Sequence, residues 1–584
     1  MMTGRAWLLL ISLLFHLISL ADFADAMPAR ESWSAQQIFS RTDARLEEAL
    51  RGMNLSDKVG QMIIAEIEPH AASSRSKEYH LLSRLVQEGK VGGIMFLKGD
   101  VVTAGISANH FQAIAPRPLL ISSDMERGIA MRLCGATEFP PNMAVAATQD
   151  PVLAEEMAEA IAEEATMIGM HQNYAPTVDL NSNPLNPVIN TRSFGDNVPQ
   201  TIAMSNAIIK GLQSNGIMAT AKHFPGHGDV SVDSHFLLPV LQADRQQLDA
   251  YELKPFKAAI EAGVISVMVG HLAVPKLTGS TVPASLSKVI VTDLLRNELG
   301  FQGLIITDAL NMKALYNGQN VAEISVKAVQ AGNDLLLFSP DPERAHRSIV
   351  NAVEKGEIPL EQIDASVRRI LQAKAWLKIE KRKRADIGRL KRDASPASHQ
   401  RLAKRIDARA ITLVSDPNHN IPLKPSERIL NIVVQDKINN ETGKEYCRKL
   451  ERPYSSNSSY RIKHVRINPE TDALGYANAT DLASKATAVI ISSYSQTLSS
   501  SGALKLSAQQ QQFIHSLVGI VPKESPVIFI SLGTPYIINY FPEITSYLCT
   551  YSPSENSEEL AIDVLQGALK PRGVLPISLQ GGSR

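Results

Sequence analysis

Residues 222–235 read KHFPGHGDVSVDSH and bring Lys222, His223, His227, Asp229, Asp233 and His235 into one short window. Core packing accounts for any one of these side chains; six polar groups in a Gly/Pro-interrupted loop following a strand point to function. Asp233 and His235 stand two positions apart, so the carboxylate can orient the imidazole and raise its basicity. Such a pair can donate and then accept a proton near neutral pH. A second cluster is Thr307-Asp308, which ends the apolar run GLIITD. A carboxylate closing a buried strand is costly unless it is solvated, paired or catalytic. Asp308 therefore reads either as an N-cap for the following ALNMKAL or as an anion that attacks a sugar's anomeric carbon while a second group protonates the leaving oxygen. A third cluster comprises Asn190–Gly195 (NTRSFG), Asp124–Gly128 (DMERG) and Arg132. Arginine offers a fork of donors to hydroxyls or a carboxylate, and aspartate accepts from sugar hydroxyls. Each of these reads equally well as a surface ion pair when taken singly; their shared position at the ends of apolar runs gives them weight.

The elements that must position these groups follow from the hydrophobic pattern. From Lys58 onward, short apolar runs (QMIIAEI, VGGIMFLK, RPLLISSD, HQNYAPTVDL, GIMATAKH, VISVMVGH, GLIITDA, DLLLFS) alternate with amphipathic stretches such as Pro151–Gly169 and Arg245–Gly263, each with a glycine where a helix would end. This alternation implies parallel βαβ units, and about eight of them before Trp376 fit a (β/α)8 barrel of the TIM type better than an open sheet. Asp124, Asp179, Lys222-His223, His271 and Asp308 close these runs. In a barrel they converge at the C-terminal mouth, where active sites are built.

Composition narrows the function classes. The 584 residues include 59 Lys+Arg and 59 Asp+Glu, so no global field holds nucleic acid or an anionic membrane. Cys134, Cys447 and Cys549 lack C-x-x-C spacing, which argues against a zinc ribbon or a thioredoxin-like centre and leaves a single Cys447–Cys549 bridge open. Arg5, the apolar stretch Ala6–Leu20 and the A-x-A pattern Ala24-Asp25-Ala26 read as a secretory signal peptide cleaved after Ala26, so the mature chain is expected to be secreted or periplasmic and free of the membrane. The run is shorter than a bilayer span requires.

Lys378–Arg392 (KIEKRKRADIGRLKR) is strongly basic, and a linker is expected over 378–405, as a solvated connector helix rather than a polyanion patch. The runs ARAITLVSD, RILNIVVQD, ATAVIISSY and PVIFISLG then indicate a smaller α/β sandwich domain over 406–584, following a barrel over 27–377. Tyr454–Tyr460 and Ser492–Ser501 look like surface loops.

KHFPGHGDVSVDSH, the upstream APTVDLNSNPLNPVINTRSFG and the downstream GLIITDALNM, in that order, resemble family 3 glycoside hydrolases of the NagZ type, the β-N-acetylglucosaminidases. ITLV with NIPL, SLGTPY and GVLPISL are similar to the sandwich domain of longer members, so the resemblance covers essentially the whole mature chain. It implies that Asp308 is a covalent nucleophile, His235 the general acid/base held by Asp233, and Lys222, His223, Arg192, Asp124 and Arg132 the groups that bind the non-reducing N-acetylglucosamine. It implies no metal or organic cofactor, and as partner a glycan or muropeptide containing N-acetylglucosamine, with peptidoglycan fragments foremost. The family usually reads D-Q-E-G-G-R where this chain has DMERGIAMR, with Arg132 keeping the spacing. Three rivals remain: a phosphorylase on the same fold, a non-catalytic wall-binding protein, and a metal-dependent hydrolase using His223, His227 and His235.

Overall fold

The computed structural model describes residues 34–579 apart from 42, 71–74, 317, 382–383, 425–427, 440, 452–460 and 496–505. The expected signal segment and the Tyr454–Tyr460 loop lie outside the described residues.

Eight parallel strands form the first unit: β1 (Ile63–Ile67), β2 (Gly93–Phe96), β3 (Leu120–Ser123), β4 (Gln172–Asn173), β5 (Thr220–Phe224), β6 (Ser266–Val269), β7 (Leu304–Thr307) and β8 (Leu336–Leu337). They pair in the ladders β8-β1-β2-β3-β4 and β5-β6-β7. Bridges Gln172↔Met218 and Thr177↔Lys222 close one seam, and Ile306↔Leu335 closes the other, so the sheet is a barrel. Every residue of β2, β3, β6 and β7 is buried, which is why these strands read as continuous apolar runs instead of alternating ones. Each strand is followed by a helix: α1 (Lys77–Gln87), α2 (Val101–Ile114), α3 (Pro151–Ile168), α4 (Val198–Ser214), α5 (Leu253–Glu261), α6 (Val289–Glu298, wound with π spacing), α7 (Val321–Ala331) and α8 (Pro342–Glu354). Helix α3 stops at Gly169, whose φ of 89° is the left-handed conformation a glycine adopts without strain.

The Arg245–Gly263 stretch is two helices, Arg245–Ala250 and α5, and not one. Pro255 is the cause: its ring clashes with the carbonyl four residues back, at Tyr251, where the chain leaves helical geometry (φ −137°, ψ −76°).

At the N-terminal end of the barrel, α9 (Leu360–Trp376) inserts Lys374, whose ammonium donates to Gln61 Oε1 (2.7 Å), Gly92 O (2.9 Å) and Pro118 O (2.7 Å). The basic stretch lies against the barrel: α10 (Ile387–Asp393) packs Leu390 over Gly105 of α2, and Asn109 exchanges hydrogen bonds with the backbone of Ala385. Helix α11 (Ala397–Ala410) leads into the second unit.

That unit is a six-stranded sheet of β9 (Thr412–Ser415), β10 (Arg428–Gln435), β11 (Arg461–Ile467), β12 (Ala488–Tyr494), β13 (Val527–Ser531) and β14 (Ser546–Cys549), in the order β9-β14-β13-β12-β10-β11, with only β9 antiparallel to its neighbour. Helices α12 (Lys444–Glu451) and α15 (Glu555–Leu565) cover one face; α13 (Ala473–Ser484) and α14 (Ala508–Ile520) cover the other. Cys447 and Cys549 belong to the cores on opposite faces and are free thiols. Ser492 and Ser493 correct the surface-loop expectation: both are buried in β12, where Ser492 Oγ donates to Asn431 Oδ1 (2.8 Å) and so satisfies a polar side chain in a central strand. Tyr494 and Ser495 are buried as well, and 496–501 lies outside the described residues. The second core extends onto the barrel through Met143, Ala144 and Ala147.

Candidate active site

The groups singled out in the sequence stand at the C-terminal ends of different strands. Asp124 directly follows β3, Lys222 and His223 are the third and fourth residues of β5, and Asp308 directly follows β7. Arg192 comes from a short 3₁₀ turn (Asn190–Arg192) in the long connection after β4, and Asp233 and His235 come from the connection after β5.

Five of them form one charge network. Lys222 Nζ donates to Asp124 Oδ1 (2.9 Å) and Glu126 Oε1 (2.7 Å). Arg132 donates to the second oxygen of Asp124 (2.7 Å), and Arg192 grips Glu126 with two parallel bonds (2.9 and 2.7 Å). Lys222 and Glu126 are almost sealed from solvent, with side-chain exposures of 2% and 4%. Burial opposes charge on Asp124, Glu126, Arg192 and Lys222, yet Lys222 and Arg132 outweigh it at Asp124, and Arg192 and Lys222 outweigh it at Glu126, so both carboxyls stay ionised, Glu126 well below its ordinary range. Lys222 is likewise raised, burial being overcome by Asp124 and Glu126. Three fixed cations facing two carboxylates make a rigid cradle of donors for an oxygen-rich ligand.

His223 is the fifth expected binding residue and joins this cradle from the side. Its Nδ1 donates to Asp179 Oδ2 (2.7 Å), which leaves Nε2, 3.5 Å from Arg192 Nη2, as the acceptor nitrogen. Asp179 also accepts the backbone N–H of His223 (3.1 Å) and of His227 (2.7 Å). Burial raises its carboxyl, and the adjacent His223 and His227 imidazoles, with the hydrogen bonds from His223 and from the His227 backbone N–H, more than reverse that.

Asp233 is buried, and its Oδ1 accepts both the Nδ1–H (2.8 Å) and the backbone N–H (2.9 Å) of His235. The imidazole is one-third exposed, with Nε2 left to exchange a proton. Asp308 Oδ1 accepts from Ala309 N (2.8 Å), and the carboxyl is held far below its ordinary range: burial opposes ionisation, and the His223 and His271 imidazoles, the Ala309 amide and His235 overcome it. No helix starts at Asp308; the next turn, Lys313–Leu315, is flanked by Met312, so the N-cap reading does not apply.

Glu126, Asp179 and His271 carry roles that residue type and spacing did not assign. His271 Nε2 donates to Ala309 O (3.1 Å) and Nδ1 meets Ser285 Oγ (2.7 Å), fixing the backbone beside Asp308. Asp179 and His271 were legible as strand-closing polar residues, and Glu126 as a neighbour of Asp124; their partners were not. His227 spends Nε2 on Ser234 Oγ (3.2 Å), and burial pushes its pKa down to about 4. Among the described residues no group of three or more His, Cys, Asp or Glu side chains converges in metal-ligating geometry.

Residues 54–373 match the glycosyl hydrolase family 3 N-terminal domain. The chain is 33% identical over 413 residues to beta-hexosaminidase A of Pseudoalteromonas piscicida, covering 65% of this chain and 67% of that one. It is 27% identical to a beta-N-acetylglucosaminidase/beta-glucosidase of Cellulomonas fimi across 90% of this chain and 94% of the relative. The solved structure of a glycoside hydrolase family 3 beta-N-acetylglucosaminidase from Paenibacillus sp. str. FPU-7 superposes with a TM-score of 0.79 at 29% identity, covering 91% of this chain and all of that one.

Proposed function

The chain belongs to glycosyl hydrolase family 3 and is a glycoside hydrolase of β-N-acetylhexosamines, and from this premise we propose that it is a retaining exo-β-N-acetylglucosaminidase in which Asp308 is the nucleophile and the His235–Asp233 pair the general acid/base. The observation that carries this reading is the pairing of an ionised, amide-bonded Asp308 with a one-third-exposed imidazole fixed through Nδ1 by a buried carboxylate.

The non-reducing sugar lies in the cradle of Asp124, Arg132, Arg192, Lys222 and His223. His235 Nε2–H protonates the glycosidic oxygen as Asp308 attacks the anomeric carbon; the C–O bond to the aglycone breaks and a glycosyl–Asp308 ester forms. His235, now neutral, takes a proton from water, whose oxygen attacks the same carbon from the opposite face and releases the sugar with net retention. Asp233 stabilises the imidazolium in the first half-reaction. No cofactor enters the scheme.

Peptidoglycan fragments are the substrate we favour, acted on outside the cytosol after removal of residues 1–26. A neutral imidazole adds no second negative charge beside Asp308 when an anionic aglycone approaches. Lys313, whose N–H bonds His235 O (3.3 Å), holds its ammonium 5.7 Å from the ring centre of the exposed Phe236, next to the acid/base. A cation and an apolar ring beside the acid/base support the reading of an aglycone that bears a carboxylate.

The test is release of nitrophenol from 4-nitrophenyl N-acetyl-β-D-glucosaminide by the chain lacking residues 1–26, with the anomer of the first product followed by NMR. Release of the β-anomer, independent of phosphate and chelator, is expected. Sugar phosphate as the product would convert the assignment to a phosphorylase, loss of rate in chelator to a metal enzyme, and no turnover by the folded chain to a binding protein.

A further inference from the structure

Beyond β13 the chain turns through the 3₁₀ segment Pro535–Tyr540, which places Tyr536 at the edge of the second domain facing the barrel. Tyr536 is buried, and burial pushes its phenol pKa up, so the hydroxyl is neutral and both donates and accepts. It donates to Asn181 O (3.2 Å) and accepts from Asn181 Nδ2 (2.8 Å). Asn181 is in turn a junction of the loop that follows β4: its Oδ1 accepts from Asn190 N (2.9 Å) and its N–H donates to Gly195 O (3.0 Å). Two residues before Asn181 is Asp179, which orients His223; two residues after Asn190 is Arg192, which grips Glu126. Ser193 Oγ ties the halves together by donating to Asp179 O (2.6 Å).

The far end of the same loop is also anchored on the second domain. Asp196 N donates to Pro576 O (3.3 Å), and Asp196 Oδ2 accepts from Ser578 N (2.7 Å). Gly195 approaches so closely that a Cβ there would lie 2.0 Å from Pro576 O, at a φ of 125°. A loop of this length held only at its barrel ends would sample many arrangements; two cross-domain anchors restrict it to one.

We propose that Tyr536 is a positioning residue of the glycosidase site, acting through Asn181 to set the placement of Arg192 and His223, so that the sugar cradle is complete only when both domains are present. The proposal rests on the reading that this cradle binds the non-reducing sugar. Tyr536 touches no reacting atom. It therefore governs ground-state capture of the sugar more than the chemical step.

The experiment measures kcat and KM on the nitrophenyl N-acetylglucosaminide for Tyr536→Phe, Asn181→Ala, Arg192→Lys and their pairs, with N-acetylglucosamine affinity by calorimetry. Tyr536→Phe keeps the ring and removes only the hydroxyl. It is expected to raise KM about fivefold with kcat within about twofold, the signature of lost positioning in binding. Tyr536→Phe added to Asn181→Ala, or to Arg192→Lys, is expected to raise KM little beyond the second substitution alone, because all act on one linkage. Unchanged KM and sugar affinity in Tyr536→Phe, factors that simply multiply in the pairs, or a fall in kcat and melting temperature with KM preserved would each overturn the proposal. If Tyr536→Phe does not fold, Asn181→Ala weakens the same link from the barrel side by removing the Nδ2 donor to Tyr536 while its main-chain carbonyl bond remains. A wild-type chain that neither turns over nor binds the sugar overturns the functional reading itself, and this proposal with it; wild-type binding matched by Tyr536→Phe overturns the positioning role alone.

Discussion

Two lysines are buried at opposite ends of the barrel, and they differ in what surrounds them. Lys222, at the mouth, meets two carboxylates, Asp124 and Glu126, and remains firmly charged because attraction exceeds the loss of hydration. Lys374, at the floor, meets only neutral oxygens of Gln61, Gly92 and Pro118, and burial with no carboxylate pulls its pKa down to about 7. The same residue type thus serves two ends. At the mouth the protein holds fixed, paired charge; at the floor it ties the entries to three strands together with hydrogen bonds alone.

The largest expected effect sharpens the functional side of this contrast. Asp308→Ala should lower kcat by a factor on the order of 10⁴ while leaving sugar binding nearly intact, because the cradle does not depend on it. Single-turnover assays together with calorimetry check this, and an active variant would remove Asp308 from the reaction. His235→Ala should cost about 10²–10⁴ in kcat on glycosides with poor leaving groups and far less on nitrophenyl glycosides, which need no protonation. Equal losses on both substrates would contradict an acid role.

Lys222→Met tests the mouth directly. It leaves Asp124 and Glu126 facing each other without their shared cation and should destabilise the fold by about 3–5 kcal/mol, with loss of sugar affinity. A melting curve and a sugar titration read both, and a stable variant with normal affinity would break the comparison. Lys374→Met should cost less, about 1–3 kcal/mol, for the Gln61 and Pro118 oxygens that lose their donor while Gly92 O keeps the Leu120 N–H, and should leave KM unchanged.

The two lysines also differ in their response to pH. A Lys374 pKa lowered to about 7 in the fold, against 10.5 in the unfolded chain, means the unfolded state binds the extra proton between those values, so this residue adds stability as pH rises from about 7 towards 10.5. Lys374→Met removes that contribution. Its melting-temperature deficit relative to wild type should therefore widen over this range, and a constant deficit would show that Lys374 stays charged in the fold.

Much of the site was readable because a barrel gathers the ends of its strands. Once eight apolar runs are recognised, Asp124, Lys222, His223 and Asp308 are neighbours whatever the intervening helices do. The Asp233–His235 pair is local and needs no tertiary information at all. Partnership across loops was not readable. Glu126 stood out only as a neighbour of Asp124 in the Asp124–Gly128 cluster, yet it is the shared counter-ion of Arg192 and Lys222, residues 66 and 96 positions away. The short strand β4 was masked by the long run HQNYAPTVDL, of which only Gln172–Asn173 is strand, and Ser492 and Ser493 read as loop because a buried serine resembles an exposed one until its partner is known.

Sequence alone therefore determined the barrel, the adjacency of Asp233 and His235 and the strand-end placement of Asp308, since these depend on hydrophobic periodicity and on residues close in the chain. Tertiary structure alone decided which charges compensate which, and that Tyr536, some 350 residues away, reaches the loop that carries Arg192. Ion-pair and hydrogen-bond energies depend on separations of a few ångströms and on the solvent excluded around them, and neither quantity exists until the chain has folded.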